Sequence, residues 1–393
     1  MKHVINKRID FILIIPVILL IITGFVAIYI ATIHDYPDNI VQVMLQQVAW
    51  VVIGLGIAFA VMLFSTEFLW KVSPFLYVLG LILMILPLFF YSPAIVESTG
   101  SKNWITIGNT TLFQPSEFMK ISYILLLSEV ALWFHERYPE QSVRNDLKML
   151  ASFLLVTLPI LILLGLQKDI GTAMVFLAIF IGMSFLSGVS WKIVLTVFLV
   201  SVVSFLTFIA VFLWEPGREF LYHMGMDTYQ INRISAWLKP FDFASSIAYQ
   251  QTQSMLSIGS GGIFGKGFSV LELAVPVRES DMIFTVIAEN FGFIGSVVTL
   301  SLYLLLIYRM ILITLESNNQ FYTYISTGFI MMILFHIFEN IGAAIGILPL
   351  TGIPLPFISQ GGSSLISNLI GVGLVLSMAY QNHIQRETER NAL

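Results

Sequence analysis

Ionisable side chains inside or beside apolar runs are the first residues of this chain to account for. They are Glu117, Lys120 and Glu129 around one run, Asp169 before another, Asp281 before a third, Glu289 within it, and Glu339 within a fourth. Each such group is expensive in hydrocarbon and is by default a functional hypothesis. Asp281 ends the polar stretch Arg278-Glu279-Ser280-Asp281, just ahead of Met282-Ile283-Phe284. A carboxylate where a polar loop enters a helix can act as a general base toward a substrate held at the membrane surface. It can equally be a favourable anion at a helix N-terminus. Thr285 and Gly292 share its helical face, and Glu289 sits within about a quarter turn, roughly 12 Å deeper at 1.5 Å per residue.

A second group is Gln114-Pro115-Ser116-Glu117 followed by Lys120. Ser116 reads as an N-cap and Glu117 suits the helix dipole. Lys120 shares a face with Glu117 and can neutralise it. A capped helix with one ion pair and a pair that holds a metal ion or a phosphate-bearing headgroup are equally compatible with this spacing. Asp169, in Gln167-Lys168-Asp169-Ile170-Gly171-Thr172, reads as an N-cap or a site residue. Glu339, mid-run in Phe338-Glu339-Asn340, needs a partner or water. Glu129, near the inner end of its run, reaches an interface.

Two glycine-rich stretches stand out, and the second, from Leu348 to Ser364, cannot remain helical. Gly259-Ser260-Gly261-Gly262-Ile263-Phe264-Gly265-Lys266-Gly267 superficially resembles a phosphate loop. It fails the Walker pattern, with Ser at 260 and Gly after Lys266, and lacks the flanking strand; its glycines still permit close backbone approach to a ligand. The stretch from Leu348 to Ser364 is apolar but rich in Pro and Gly. Non-helical backbone at membrane depth needs a protein or water-filled environment, so a cavity near the outer face is expected.

The elements that must position these residues follow from composition. Of 393 residues 57% are apolar and 11% charged, against about 25% charged in a soluble domain; the mean hydropathy is +0.89. Disorder is excluded, and the absence of cysteine removes disulfides, thiolate catalysis and cysteine zinc sites. A net charge of −4 gives no sign of nucleic-acid binding. The reading is an all-α polytopic integral membrane protein. Ten runs are long enough to cross a bilayer, near 11–31, 44–64, 74–92, 118–134, 149–166, 170–187, 191–213, 283–308, 321–347 and 364–381. The first exceeds a signal peptide's apolar core and lacks a cleavage site, so it reads as a retained span.

With the N-terminus inside, the inner segments hold Lys2, Lys7, Arg8, Lys71, Arg137, Arg144, Lys148, Lys192, Arg309, Arg386 and Arg390. The short outer loops hold only Lys102 and Lys168, a positive-inside bias that puts both termini in the cytoplasm. Between spans seven and eight lies a large extracellular loop, 214–282, within a single domain of 1–393. Its aromatics, including Trp214, Tyr229, Trp237 and Tyr249, suit an ordered segment. The six histidines have no paired spacing, so no histidine zinc site is expected. Asn109-Thr110-Thr111 formally matches a glycosylation sequon. No D-x-D or G-x-S-x-G occurs.

Taken together, the motifs resemble the SEDS family, and its RodA-type elongation branch more than its FtsW-type division branch. Trp104, Gly108-Asn109 and Gln114-Pro115-Ser116-Glu117 resemble a W…GN…QPSE signature. Gln167 to Ala173 is similar to Q-x-D-x-G-T-A. Tyr229-Gln230 with Arg233, Tyr249-Gln250 and the Gly259–Gly267 run resemble the family's large outer loop. Pro349 to Ser364 resembles P-x-T-G-x-P-x-P-F-x-S-x-G-G-S-S. One departure is Glu279-Ser280-Asp281-Met282, where many members have H-T-D-F.

The resemblance implies a peptidoglycan glycosyltransferase that polymerises lipid II at the outer face of the plasma membrane for cell elongation and shape. It also implies a class B penicillin-binding transpeptidase as partner, alongside membrane lipids. Asp281 matches the family's catalytic aspartate, and Glu117, Lys120 and Asp169 match functionally important positions. Trp104 and Ser363 fall within its motifs as substrate-binding candidates. Lys120, Arg233, Lys266, Arg278 and the glycine-rich backbone are candidates to stabilise the leaving pyrophosphate. A divalent cation held by Glu117 is compatible with the mechanism but not required by it. A lipid II flippase and a non-catalytic scaffold for the transpeptidase are the rival readings.

Overall fold

A helix satisfies its backbone N–H and C=O groups within itself, so long apolar runs in lipid fold as helices. The computed structural model describes residues 10–107, 110–140, 142–226 and 228–392. Lys2, Lys7, Arg8, Gly108 and Asn109, and with Asn109 the sequon, lie outside the described residues; so do the side chains of Tyr229, Arg386 and Arg390. Helices α1 (Phe11–Asp35), α2 (Ile40–Met62), α3 (Thr66–Ile85) and the short α4 (Pro93–Thr99) come first. A hairpin of β1 (Ile105–Ile107) and β2 (Thr110–Phe113) follows, a small exception to the all-α expectation. Then come α5 (Pro115–Arg137), α6 (Val143–Gln167), α7 (Ile170–Leu186) and α8 (Trp191–Leu213). The 214–282 segment is itself helical in part, with α9 (Glu215–His223), α10 (Thr228–Leu238) and α11 (Tyr249–Ser260). The chain ends with α12 (Ile283–Leu315), α13 (Gln320–Ala344) and α14 (Gly362–Ala392).

Among the described residues nine helices are long and apolar enough to cross a membrane. They account for nine of the ten expected spans. The other, α7, has 17 residues, or about 25 Å at 1.5 Å per residue, slightly less than a typical hydrocarbon core. Helices α5, α13 and α14 form the centre, α1 packs on α12, α2 on α14, α3 on α5, and α7 on α13. Arg309 of α12 joins Asp10 at the start of α1, Nη2 to Oδ2 2.5 Å. Helix α8 stands apart: of its residues only Phe212 is buried, so nearly all its surface is left to lipid. The 345–361 segment is non-helical between α13 and α14, as its prolines and glycines require.

Candidate active site at the outer ends of α12 and α13

Residues 278–282 make turns that lead into α12, and the non-helical segment after α13 grips them. Ser359 Oγ donates to Ser280 O at 2.7 Å, and Gln360 N to Glu279 O at 2.9 Å. Asn340 Nδ2 donates both to Asp281 O at 2.7 Å and to Ile353 O at 2.8 Å. Arg278, buried, reaches Asp35 at the end of α1, Nε to Oδ2 2.8 Å. The backbone on which Asp281 stands is therefore fixed by three other segments.

The Asp281 side chain is half-buried. It accepts from Ser280 Oγ at 2.9 Å, and Arg233, on α10 of the outer segment, acts on it electrostatically. Its Oδ2 lies 3.3 Å from where a Cβ on Gly352 would stand. Burial pushes the Asp281 carboxyl above the usual range, against the opposing pull of Ser280 and Arg233. Burial also raises Glu279, with Asp35 and Asp281 adding to the shift. A carboxylate raised in this way is a stronger base than an exposed aspartate.

Glu117 and Lys120 form a separate buried pair, Nζ to Oε2 2.8 Å. Lys120 also meets His336 of α13, Nζ to Nε2 3.0 Å. His336 Nδ1 lies 2.6 Å from Met332 O, so Nδ1–H donates there and Nε2 accepts from the ammonium. Lys120 occupies the place beside Glu117 that a cation would take. Among the described residues no three His, Cys, Asp or Glu side chains gather as metal ligands. A divalent cation at Glu117, compatible with the sequence but not required by it, therefore does not fit the residues present. Ser116 is also corrected: the N-cap position is Gln114, without a side-chain cap, and Ser116 Oγ is buried without a partner.

Asp169 caps α7, taking Thr172 N at 3.0 Å and Thr172 Oγ1 at 2.9 Å, while Asn103 Nδ2 donates to it at 2.7 Å. Its oxygens serve the fold, although the following Gly171 packs on Thr351 beside Gly352. Ser363 Oγ accepts from Gln114 N at 3.2 Å, tying the start of α14 to that of α5. Trp104 is half-buried just before β1. Glu129 is half-buried and accepts from Ser73 of α3.

Lys266 is not free to meet a leaving group. Its Nζ bonds Glu272 Oε2 at 2.7 Å and Glu289 Oε1 at 2.9 Å. Burial works against its ammonium, but the two carboxylates outweigh it and hold its pKa above the ordinary value. Ser257 Oγ donates to Glu289 Oε2 at 2.6 Å and Glu272 N to Oε1 at 3.0 Å. The glycines approach a helix rather than a ligand: a Cβ on Gly265, at φ +81, would stand 2.1 Å from Asn290 O. Opposite it α12 breaks at Gly292, φ 62 and ψ −156, so the face expected to carry Asp281, Thr285 and Gly292 together does not continue through it.

Buried polar atoms without partners gather around Asp281. They are Arg278 Nη1, Glu279 Oε2, Glu339 Oε1, Asn340 Oδ1 and Thr351 Oγ1. Each such atom costs about 1–3 kcal/mol if nothing meets it, so the concentration marks a place for a polar ligand or water. Asn340, Thr351, Ser359 and His336 were not singled out in the sequence, because their partners lie far away along the chain. The stretch Leu348 to Ser364 was the available signal for Thr351 and Ser359. A cavity of about 630 Å³ lies at the far end of α12, lined by Asn318, Asn319, Gln320, Tyr380 and Gln385 among others. It has no charged lining residue and stands apart from this chemistry.

A helical bundle with a carboxylate-bearing polar ledge at one end defines a multi-pass membrane protein whose candidate site lies at a helix–loop boundary. The chain belongs to the FtsW/RodA/SpoVE family of cell cycle proteins, whose model matches residues 10–384. It is 35% identical over 321 residues to a probable peptidoglycan glycosyltransferase FtsW of Coxiella burnetii, covering 79% of this chain and 80% of that one. It is 31% identical to the peptidoglycan glycosyltransferase MrdB of Escherichia coli K12, covering 92% of each. Among solved structures it is similar to a chain from work on the coordination of polymerization and crosslinking by a peptidoglycan synthase complex. That match has a TM-score of 0.75, 28% identity, and covers 96% of this chain and 98% of the other. The rod shape determining protein RodA of Thermus thermophilus matches with a TM-score of 0.65 and 28% identity, covering 94% and 96%.

Proposed function

We propose that this protein is a peptidoglycan glycosyltransferase that polymerises lipid II at the outer face of the cytoplasmic membrane, with Asp281 as general base. The observation that carries the reading is the half-buried Asp281 carboxylate set among unpartnered polar atoms at a helix–loop boundary. The names of its relatives support glycosyl transfer as the reaction class. The acceptor hydroxyl gives its proton to Asp281 while its oxygen bonds to the anomeric carbon of the lipid-linked sugar. The bond from that carbon to the pyrophosphate oxygen breaks, and the lipid pyrophosphate leaves with the electron pair. An α-linked donor thereby gives a β-linked product in one displacement. A positioned base contributes roughly 10²–10⁴-fold.

Charge on the departing pyrophosphate needs preorganised donors. Arg233 acts on Asp281, and Arg278 has an Nη1 without a partner; these two are assigned the role. Lys120 and Lys266 are committed to carboxylates and are assigned to the scaffold. Segment 214–282 covers the site from outside, both termini are cytoplasmic, and the lysine and arginine distribution supports that orientation. A class B penicillin-binding transpeptidase is the proposed partner, supported by the likeness to a chain of a synthase complex. The Glu117–Lys120 pair and Asp169 act by shaping the bundle around the site.

Lipid II supplied to the purified full-length protein in detergent, where no second leaflet exists, is expected to yield glycan strands. Asp281→Asn is expected to bind lipid II and form none. Polymer made by that variant at close to the wild-type rate removes Asp281 from the chemistry. Wild-type protein that moves lipid II between leaflets of liposomes but never elongates it returns the flippase reading.

A further inference from the structure

Four acids are buried among the described residues: Glu117, Asp169, Glu289 and Glu339. Three have their partners named above. Glu339 is 2% exposed and its Oε1 has none. Thr351 lies beside it, its side chain and its backbone both acting on the Glu339 carboxyl, while Thr351 Oγ1 makes no hydrogen bond of full geometry. The next residue, Asn340, spends its Nδ2 on two carbonyls and leaves Oδ1 unmet. Asp281 and Arg233 both act electrostatically on Glu339. A carboxylate oxygen, an amide oxygen and a hydroxyl oxygen therefore stand open next to the proposed base.

All three atoms accept hydrogen bonds, and two can only accept. The group that satisfies them must bring O–H or N–H donors. Two carboxylates side by side repel an anion, so a phosphate belongs elsewhere, toward Arg278. Arg233 already supplies the positive charge. The chemistry that fits is an uncharged, donor-rich group: sugar hydroxyls and acetamido N–H.

We propose that Glu339, with Asn340 Oδ1 and Thr351 Oγ1, forms the subsite that holds the acceptor saccharide and presents its hydroxyl to Asp281. This rests on the glycosyltransferase reading above. Glu339 is a substrate-binding residue there, and its carboxylate accepts a hydrogen bond from the sugar ring that reacts.

The test uses purified full-length protein, wild type and Glu339→Gln, with polymerisation rate measured against lipid II concentration. Binding of a soluble N-acetylated disaccharide, lacking lipid and pyrophosphate, is measured in parallel. Glu339→Gln is expected to raise KM and weaken disaccharide binding roughly 10- to 100-fold, the weight of one hydrogen bond to a charged group. Its kcat should change only a few-fold and its unfolding midpoint should not fall, since glutamine keeps the shape of the side chain and burying a neutral amide costs less than burying a charge. Thr351→Val should move KM in the same direction by less. KM and disaccharide binding both equal to wild type overturn the subsite, as does a lowered midpoint with both constants unchanged. Wild type that binds the disaccharide but polymerises nothing, with binding lost in Glu339→Gln, overturns the transferase reading and leaves the subsite standing.

Discussion

Glu289 and Asp281 are eight residues apart in the chain and belong to two different kinds of acidic cluster. Around Glu289 both carboxylate oxygens are met, by Lys266, Ser257 and the Glu272 backbone. Around Asp281 and Glu339 the fold leaves acceptors open and surrounds them with an arginine, a glycine and loop backbone. Residue type does not separate the two, since both hold buried acids near a membrane surface. Saturation does: where the fold supplies every partner the charge is structural, and where it withholds them the remaining partner comes from outside. Lys266 shows how strongly this reassigns a residue. By type and place it suits a pyrophosphate, yet by geometry it closes the outer segment onto α12.

The contrast is sharpest under substitution. Asp281→Asn should lower glycan synthesis by at least about 10²-fold with little change in unfolding midpoint, measured on purified protein with lipid II. Lys266→Met should do the opposite. It strands Glu289, which is 0% exposed, and breaking a buried pair costs about 3–5 kcal/mol. The unfolding midpoint should fall, and Glu289→Gln in the same chain should restore part of it. An unchanged midpoint in Lys266→Met dissolves the distinction between the clusters. Gly265→Ala should cost about 1–3 kcal/mol, because φ is +81 and the new methyl meets Asn290 O. Asp169→Ala, which removes a helix cap, should cost about 1 kcal/mol and leave KM for lipid II nearly unchanged.

One further expectation concerns pH. Asp281 must be ionised to accept a proton, and burial raises its pKa. The rate should therefore rise with pH through a limb above the ordinary carboxylate range. A limb at the value of an exposed aspartate contradicts the burial described for this group.

Helix positions were legible because hydrophobic length is a local property. The run at 191–213 became α8 (Trp191–Leu213), and the Pro- and Gly-rich stretch from Leu348 stayed non-helical as far as Gly361, its last three residues opening α14. Helix ends were less legible: α12 continues to Leu315 rather than 308, and α14 starts at Gly362 and runs to Ala392. Helix α14 continues as polar helix past its apolar run, and α12 runs on past Arg309, the charge that closed the expected span, through Met310 to Ile313. At the candidate site, the place of Asp281 at a loop–helix boundary was legible from the polar stretch that precedes an apolar run. The Glu117–Lys120 pair was legible because three residues along a helix bring side chains together. His336, Asn340 and Thr351 were not, since the Lys120–His336 contact joins residues 216 apart. No spacing rule reaches that far, and the capping of α7 by Asp169 became visible only in the groups its oxygens meet.

Gly352 has a consequence for how the protein tolerates change. Its φ of +80 already disfavours other residues, and a first side-chain atom would stand 3.3 Å from Asp281 Oδ2. Position 352 thus works as the shutter of the site. Anything larger than hydrogen there shades the carboxylate while leaving every charge in place, so a single methyl would blind the proposed base without touching its chemistry.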